Sequence, residues 1–281
     1  MLSADPCEFC GHAVPASSDR CPHCGRPSRF PNVIAAKNPA EKDALDRRYQ
    51  EALNRVDPSA APLLQQFETA VAQDSQAVIA RHASEVFALA ANDKALYASF
   101  YDLVQAGARL PSEDFWDTAR AVVDEKLFTH YKSHIRFAAL SLDGRGLGHY
   151  GDCFFVLKED MIAHRATVFE ENTIVFMRRS RLPLTGELPV GHRALWQDRG
   201  RLAAVKLTDA ISPSTTEADF PALLISDGAK PEDDQFVEVH VYGPFSIHSV
   251  AEVSQKTRGS AVRHKALREK LAKFGIPLKE L

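Results

Sequence analysis

Phe236-Val-Glu238-Val-His240-Val-Tyr242-Gly243-Pro244 alternates, with Val237, Val239 and Val241 on one side and Glu238, His240 and Tyr242 on the other. Successive side chains of a β-strand point to opposite faces, so the stretch reads as a strand whose valines face a core. A carboxylate, an imidazole and a phenol then share the second face. That face is either a catalytic row or the wet side of an edge strand.

Outward from this strand, other short runs have the same texture: Ile135 to Leu142, Cys153 to Leu157, Thr173 to Phe176, Leu202 to Leu207 and Ala222 to Ile225. Each is β-rich and bounded by turn residues, so residues 133–281 are expected to form a mixed domain around a strand core. Cys153 opens an apolar run with no cation beside it, and is expected to be a buried, free thiol without a catalytic role. Upstream the period changes. Glu41 to Val56 has helical spacing and is stopped by Asp57-Pro58. The alanine-rich stretch Leu63 to Ala91 reads as one long helix or two. Asn92 or Asp93 is expected to cap a further helix through Val104, and Ser112 with its acidic neighbours to start one reaching about His130. The expected class is therefore α+β: an N-terminal ribbon (1–30), a proline-bearing linker (31–40), a helical region (41–132) and the strand-rich remainder (133–281).

The chain has 281 residues, 45% hydrophobic and 25% charged, which excludes a wholly disordered protein. Its formal net charge of −3 excludes a global attraction to nucleic acid or an anionic membrane. No apolar run reaches the roughly 18 residues of a membrane span, and Met1 to Pro6 is polar and acidic, so a cytoplasmic protein is expected. Ala261 to Phe274 has helical spacing within a basic tail. It reads as a solvated helix face, or as a contact surface for a nucleic-acid or protein partner.

Four of the five cysteines form Cys7-Glu-Phe-Cys10 and Cys21-Pro-His-Cys24, each pair followed by a glycine. Two thiolates two residues apart grip one ion from a tight turn, and two such turns close a tetrahedral shell. Clustering at one end with one cysteine left over does not suit a secreted disulfide framework, so Cys7, Cys10, Cys21 and Cys24 are expected to hold a structural zinc. A full thiolate shell leaves no open position for catalysis, and none for His12 or His23.

Two further stretches are more polar than a core needs. Gly146-Leu-Gly-His149-Tyr150-Gly151-Asp152 is either a plain turn or a backbone approach to a ligand, with His149 and Tyr150 beside it. Its glycines fit neither a Rossmann fingerprint nor a phosphate loop. His164-Arg165-Ala-Thr167 runs on to Glu170-Glu171-Asn172-Thr173, where Arg165 either holds a phosphate or pairs with Glu170 or Glu171.

Together, Tyr150-Gly-Asp with the following strand, Arg165-Ala-Thr167, Glu171-Asn172-Thr173 and Glu238-Val-His-Val-Tyr-Gly243 resemble the ADP-ribosyltransferase-like domains of some phage head proteins and bacterial toxins, over about residues 135–255. The resemblance implies a split, two-sheet β core that clamps NAD. It implies cofactor contacts from His149, Tyr150 and Arg165, and catalysis by Glu238, in an NAD-dependent transferase or glycohydrolase. The family's paired acidic motif is absent, since Phe236 stands two residues before Glu238, and Ser214-Thr215-Thr216 is the nearest match to its serine-threonine segment. A non-enzymatic zinc-ribbon adaptor is the alternative. The histidines show no helical pairing with a carboxylate that would favour a catalytic metal.

Overall fold

A computed structural model describes residues 5–7, 9–14, 18, 20–26, 29–107, 115–128, 130–182, 188–256 and 261–281. The ribbon is a short hairpin, β1 (Asp5–Pro6) antiparallel to β2 (Ala13–Val14). Three helices follow: α1 (Pro31–Ala36), α2 (Pro39–Arg55) and α3 (Ala61–Asp74). After strand β3 (Gln76–Arg81) come α4 (Ala83–Leu89), α5 (Phe100–Gln105) and α6 (Phe115–Phe128). The chain then alternates through β4 (Ile135–Ser141), β5 (Cys153–Leu157), α7 (Glu159–Ile162), β6 (Ala166–Phe169), α8 (Thr173–Arg179) and β7 (Arg193–Leu195). Helices α9 (Arg199–Leu207) and α10 (Phe220–Leu224) lead to β8 (Glu238–Tyr242), β9 (Val250–Gln255), α11 (Ala261–Ala272) and β10 (Leu278–Glu280).

Eight strands make one sheet in the order β10-β9-β5-β3-β4-β8-β6-β7, antiparallel throughout except for the parallel β10–β9 pair. The resemblance implied two sheets; the described residues form this one sheet and the ribbon hairpin. One face carries the main core, where Ile79, Leu140, Phe155, Val168, Val239, Val241 and Val253 join Leu64, Phe67 and Val71 of α3 and Leu202 of α9. The valines of β8 thus face the core as their alternation requires. On the opposite face, Ile135 and Phe169 pack under Val123, Leu127 and Phe128 of α6 and Ile174, Phe176 and Met177 of α8.

Several expectations are corrected. The helical stretch read over Leu63 to Ala91 is broken by β3, which sits between β4 and β5 in the middle of the sheet. Ala77 to Ala80 is buried on both faces, so it shows no alternation that would set it apart from a buried helix. Thr173 to Phe176, Leu202 to Leu207 and Ala222 to Ile225 were expected as strands and are helical in α8, α9 and α10, except for Ile225 just beyond α10. Asn172 starts α8 by accepting the N–H groups of Ile174 and Val175. Helix α9 is buried nearly all round, which removes its amphipathic period. The helix expected from Asn92 begins only at Phe100, where Ser99 and Asp102 form a reciprocal cap. Ser112 lies outside the described residues. The expected linker contains α1, whose first position is Pro31, a residue preorganised for a helix start. The buried Asn32 side chain of α1 donates to the carbonyls of Arg165 and His240, so this segment is tied to the sheet. Cys153 is fully buried and unpaired, and burial pushes its thiol up to about 12, as its apolar run predicts.

Candidate functional site

On the face shared with α6, the sheet is left partly open as a cleft of about 440 Å³, in the range of small-molecule sites. Its floor follows from strand register. Val78, Ala139 and Glu238 are direct neighbours across β3, β4 and β8, so Glu238 sets a carboxylate at the end of an apolar row. Arg120, Leu147, His149, Tyr150, Asn172 and Phe236 also line the cleft.

Glu238 is 4% exposed and held from two sides. The His240 Nε2–H donates to its Oε2 at 2.9 Å, and the Thr173 N–H donates to the same oxygen at 3.4 Å. His240 is itself fully buried, with its ring edge-on to Phe128 and Phe137. The polar row of β8 is therefore no wet edge. β8 lies between β4 and β6, and the row is roofed by α6 and α8.

Tyr150 is half-buried, and burial, with the charges of Glu238 and Asp234, pushes its phenol up to about 12. It remains a hydrogen-bond donor at any ordinary pH. His149 stands at the mouth with its Nδ1 2.8 Å from Asp234 Oδ1. Of the four residues singled out for catalysis and cofactor contact, Glu238, His149 and Tyr150 thus share one cleft. Arg165 does not line it. Its guanidinium donates to the carbonyls of Met161, Tyr242 and Pro244, so it fastens the chain ends around β6 and β8. Nor does it pair with the nearby acids: Glu170 takes His192 and Arg48, and Glu171 takes Arg179. Ser214 and Thr215 belong to an exposed turn away from the cleft.

Three arginines line the cleft. Arg136 is taken up by Asp102 and the carbonyls of Tyr97 and Ser133, and Arg81 by Glu85 and the carbonyl of Ala80; the third, Arg120, stands on α6. It lies over the Phe137 ring at 4.9 Å and 3.9 Å from Asp124 Oδ2. Although burial opposes its charge, Asp124 and then Glu238 hold its guanidinium above the ordinary arginine value. Its signal in the sequence is a charged pair, Arg120 and Asp124, spaced i and i+4 beside the apolar stripe Ala119, Val123 and Leu127. Asp124 is fully buried, accepts from the Tyr101 hydroxyl at 2.7 Å, and is pushed by burial up to about 6. An acid raised on folding binds its proton more tightly in the folded state, so the stability this gives is whole below the unfolded value and is lost as pH rises through 6. Asp124→Asn is therefore expected to flatten the fall in stability between about pH 4 and 6, read from urea midpoints against the parent protein.

The ribbon brings Cys7, Cys10, Cys21 and Cys24 together with their four sulfurs within 4.8 Å of one another. Cys7 and Cys24 are 3.7 Å apart and Cys10 and Cys21 3.5 Å. A metal–sulfur bond of about 2.3 Å gives tetrahedral edges of about 3.8 Å, so the cluster is close enough to hold a metal ion such as zinc. The two turns repeat one geometry: Gly11 N–H donates to Cys7 O and Gly25 N–H to Cys21 O, with φ of 72° and 70° at the glycines. Only glycine takes that backbone without strain. His12 and His23 stack on each other at 3.5 Å beside the cluster. Phe9 meets the His164 ring at 5.1 Å, so the ribbon touches the body of the protein near the start of β6.

A larger groove of about 650 Å³ crosses α3 and Phe220, but its polar lining, Gln65, Gln66, Thr69 and Gln73, is an exposed helix face. Along α11, Leu267 and Leu271 are buried, while Arg268 pairs with Glu280 and Lys265 with Glu269. No helix among the described residues is long and apolar enough to cross a membrane. No protein-family model and no curated protein sequence matches this chain.

Proposed function

We propose that the cleft binds NAD and that the protein transfers or hydrolyses its ADP-ribose group, with the ribbon holding a structural zinc ion. The setting of Glu238 carries this reading: a carboxylate enclosed on a cleft floor, with one oxygen fixed by His240 and Thr173. In the reaction, the bond between the ribose carbon and the nicotinamide nitrogen breaks, its electron pair leaves with nicotinamide, and water or an acceptor nucleophile forms the new bond to that carbon and gives up its proton to solvent. Positive charge builds on the ribose, and a preorganised carboxylate stabilises it at little cost in reorganisation. Tyr150 supplies a phenol donor beside the sugar. Arg120 replaces Arg165 as the cation for the pyrophosphate, because it lines the cleft and Arg165 does not, while the other two arginines of the cleft, Arg81 and Arg136, are paired with Glu85 and Asp102.

The arginine assignment is tested by calorimetric titration with NAD. Arg120→Ala is expected to weaken binding by about tenfold or more, roughly 1.4 kcal/mol. Arg165→Ala is expected to lower stability and leave affinity near that of the parent. Loss of affinity in Arg165→Ala alone would reverse the assignment.

For the ribbon, metal analysis is expected to return one zinc per chain, with Cys7→Ser lowering the content. A hairpin of two-residue strands buries too little apolar surface to fold unaided, so metal binding supplies its folding free energy. Zinc-free protein purified without chelator would refute the site.

A further inference from the structure

At the mouth of the cleft, His149 meets two carboxylates from one loop far along the chain, Asp227 and Asp234. One ligand atom each from His149, Asp227 and Asp234 lies within 4.8 Å of the other two. The carboxylates are positioned by backbone rather than by chance: Gly148 N–H donates to Asp227 Oδ1 at 2.6 Å and Gly228 N–H to Asp234 Oδ1 at 2.8 Å. The Asp234 side chain is 0% exposed, and its Oδ2 is buried without a hydrogen-bond partner among the described residues. An enclosed carboxylate oxygen with nothing to bond is costly, and a bound cation removes that cost. A positive group already leans on the cluster, for Lys256 Nζ stands 3.5 Å from Asp227 Oδ2 and is 43% exposed.

We propose that His149, Asp227 and Asp234 form a site for a divalent cation of the Mn²⁺ class, with Lys256 as the ammonium that gives way when the metal enters. Two carboxylate oxygens and one imidazole nitrogen suit a cation that accepts both hard oxygen and nitrogen ligands. Three protein ligands leave coordination positions open, and since His149 also lines the cleft, phosphate oxygens of a ligand there come within reach of them. The site lies apart from the four-cysteine ribbon and does not depend on NAD being the cleft's ligand.

The test is a Mn²⁺ titration of the full chain, with its ribbon zinc in place, followed by the loss of the free-ion electron paramagnetic resonance signal. One Mn²⁺ per chain is expected. Asp234→Asn and His149→Gln are each expected to weaken binding by about tenfold or more. Lys256→Met removes the competing ammonium on a half-exposed side chain, and is expected to tighten binding severalfold. His149 is exposed, so its variant reports on the site even if Asp234→Asn does not fold. Absence of bound Mn²⁺ at millimolar concentration, or parental affinity in His149→Gln, overturns the proposal; so does weaker binding in Lys256→Met.

Discussion

Replacing Glu238 by glutamine is expected to reduce NAD consumption by about 10² to 10³, or 2.7 to 4 kcal/mol of transition-state stabilisation, while leaving the fold intact. Glutamine keeps the shape and one acceptor oxygen, so the His240 Nε2–H and the Thr173 N–H retain a partner. Only the charge is lost. Because that charge acts on a ribosyl cation present in the transition state and not in bound NAD, kcat should fall with little change in KM. The check is steady-state kinetics of the variant beside its urea midpoint. A fall in stability matching the fall in rate would make Glu238 a structural carboxylate.

A fragment beginning at residue 133 is expected not to fold, although the sequence alone suggests a boundary there. Strand β3 pairs with β4 through Gln76, Ala77 and Val78, and with β5 through Val78 to Arg81. Without it, two inner strands of the sheet lose their shared partner and expose unpaired N–H and C=O groups. The main core also loses Leu64, Phe67, Val71 and Ile79, all nearly inaccessible to solvent. The fragment should show poor amide dispersion, whereas the full chain should unfold with residues 41–132 and 133–281 in one transition. A well-dispersed spectrum from the fragment would restore two separate domains.

The parts legible in the sequence are those where one face differs from the other or where spacing alone carries the chemistry. The valines of β8 alternate with polar residues because one face meets the main core and the other meets α6 and a cleft. The cysteine pairs repeat a local turn, so no distant residue is needed to place them. By contrast, Ala77 to Ala80 of β3 and Leu202 to Val205 of α9 are buried on all sides, and a uniformly apolar run has no period to separate strand from helix. Arg165 was misplaced for a different reason: an arginine near a candidate site looks the same in sequence whether it faces a ligand or, as here, the carbonyls of Met161, Tyr242 and Pro244. Arg120 reaches the cleft, and Asp227 and Asp234 reach His149 at its mouth, only through packing, because the helix is far from Glu238 in the chain and the loop far from His149.

The cleft around Glu238 is expected to consume NAD. Full-length protein incubated with NAD labelled in its nicotinamide ring, with and without cell extract as acceptor, should release free labelled nicotinamide, and Glu238→Gln should release almost none. If the parent protein releases no nicotinamide in either condition, or if Glu238→Gln releases it as fast as the parent, the cleft is not an NAD-consuming site.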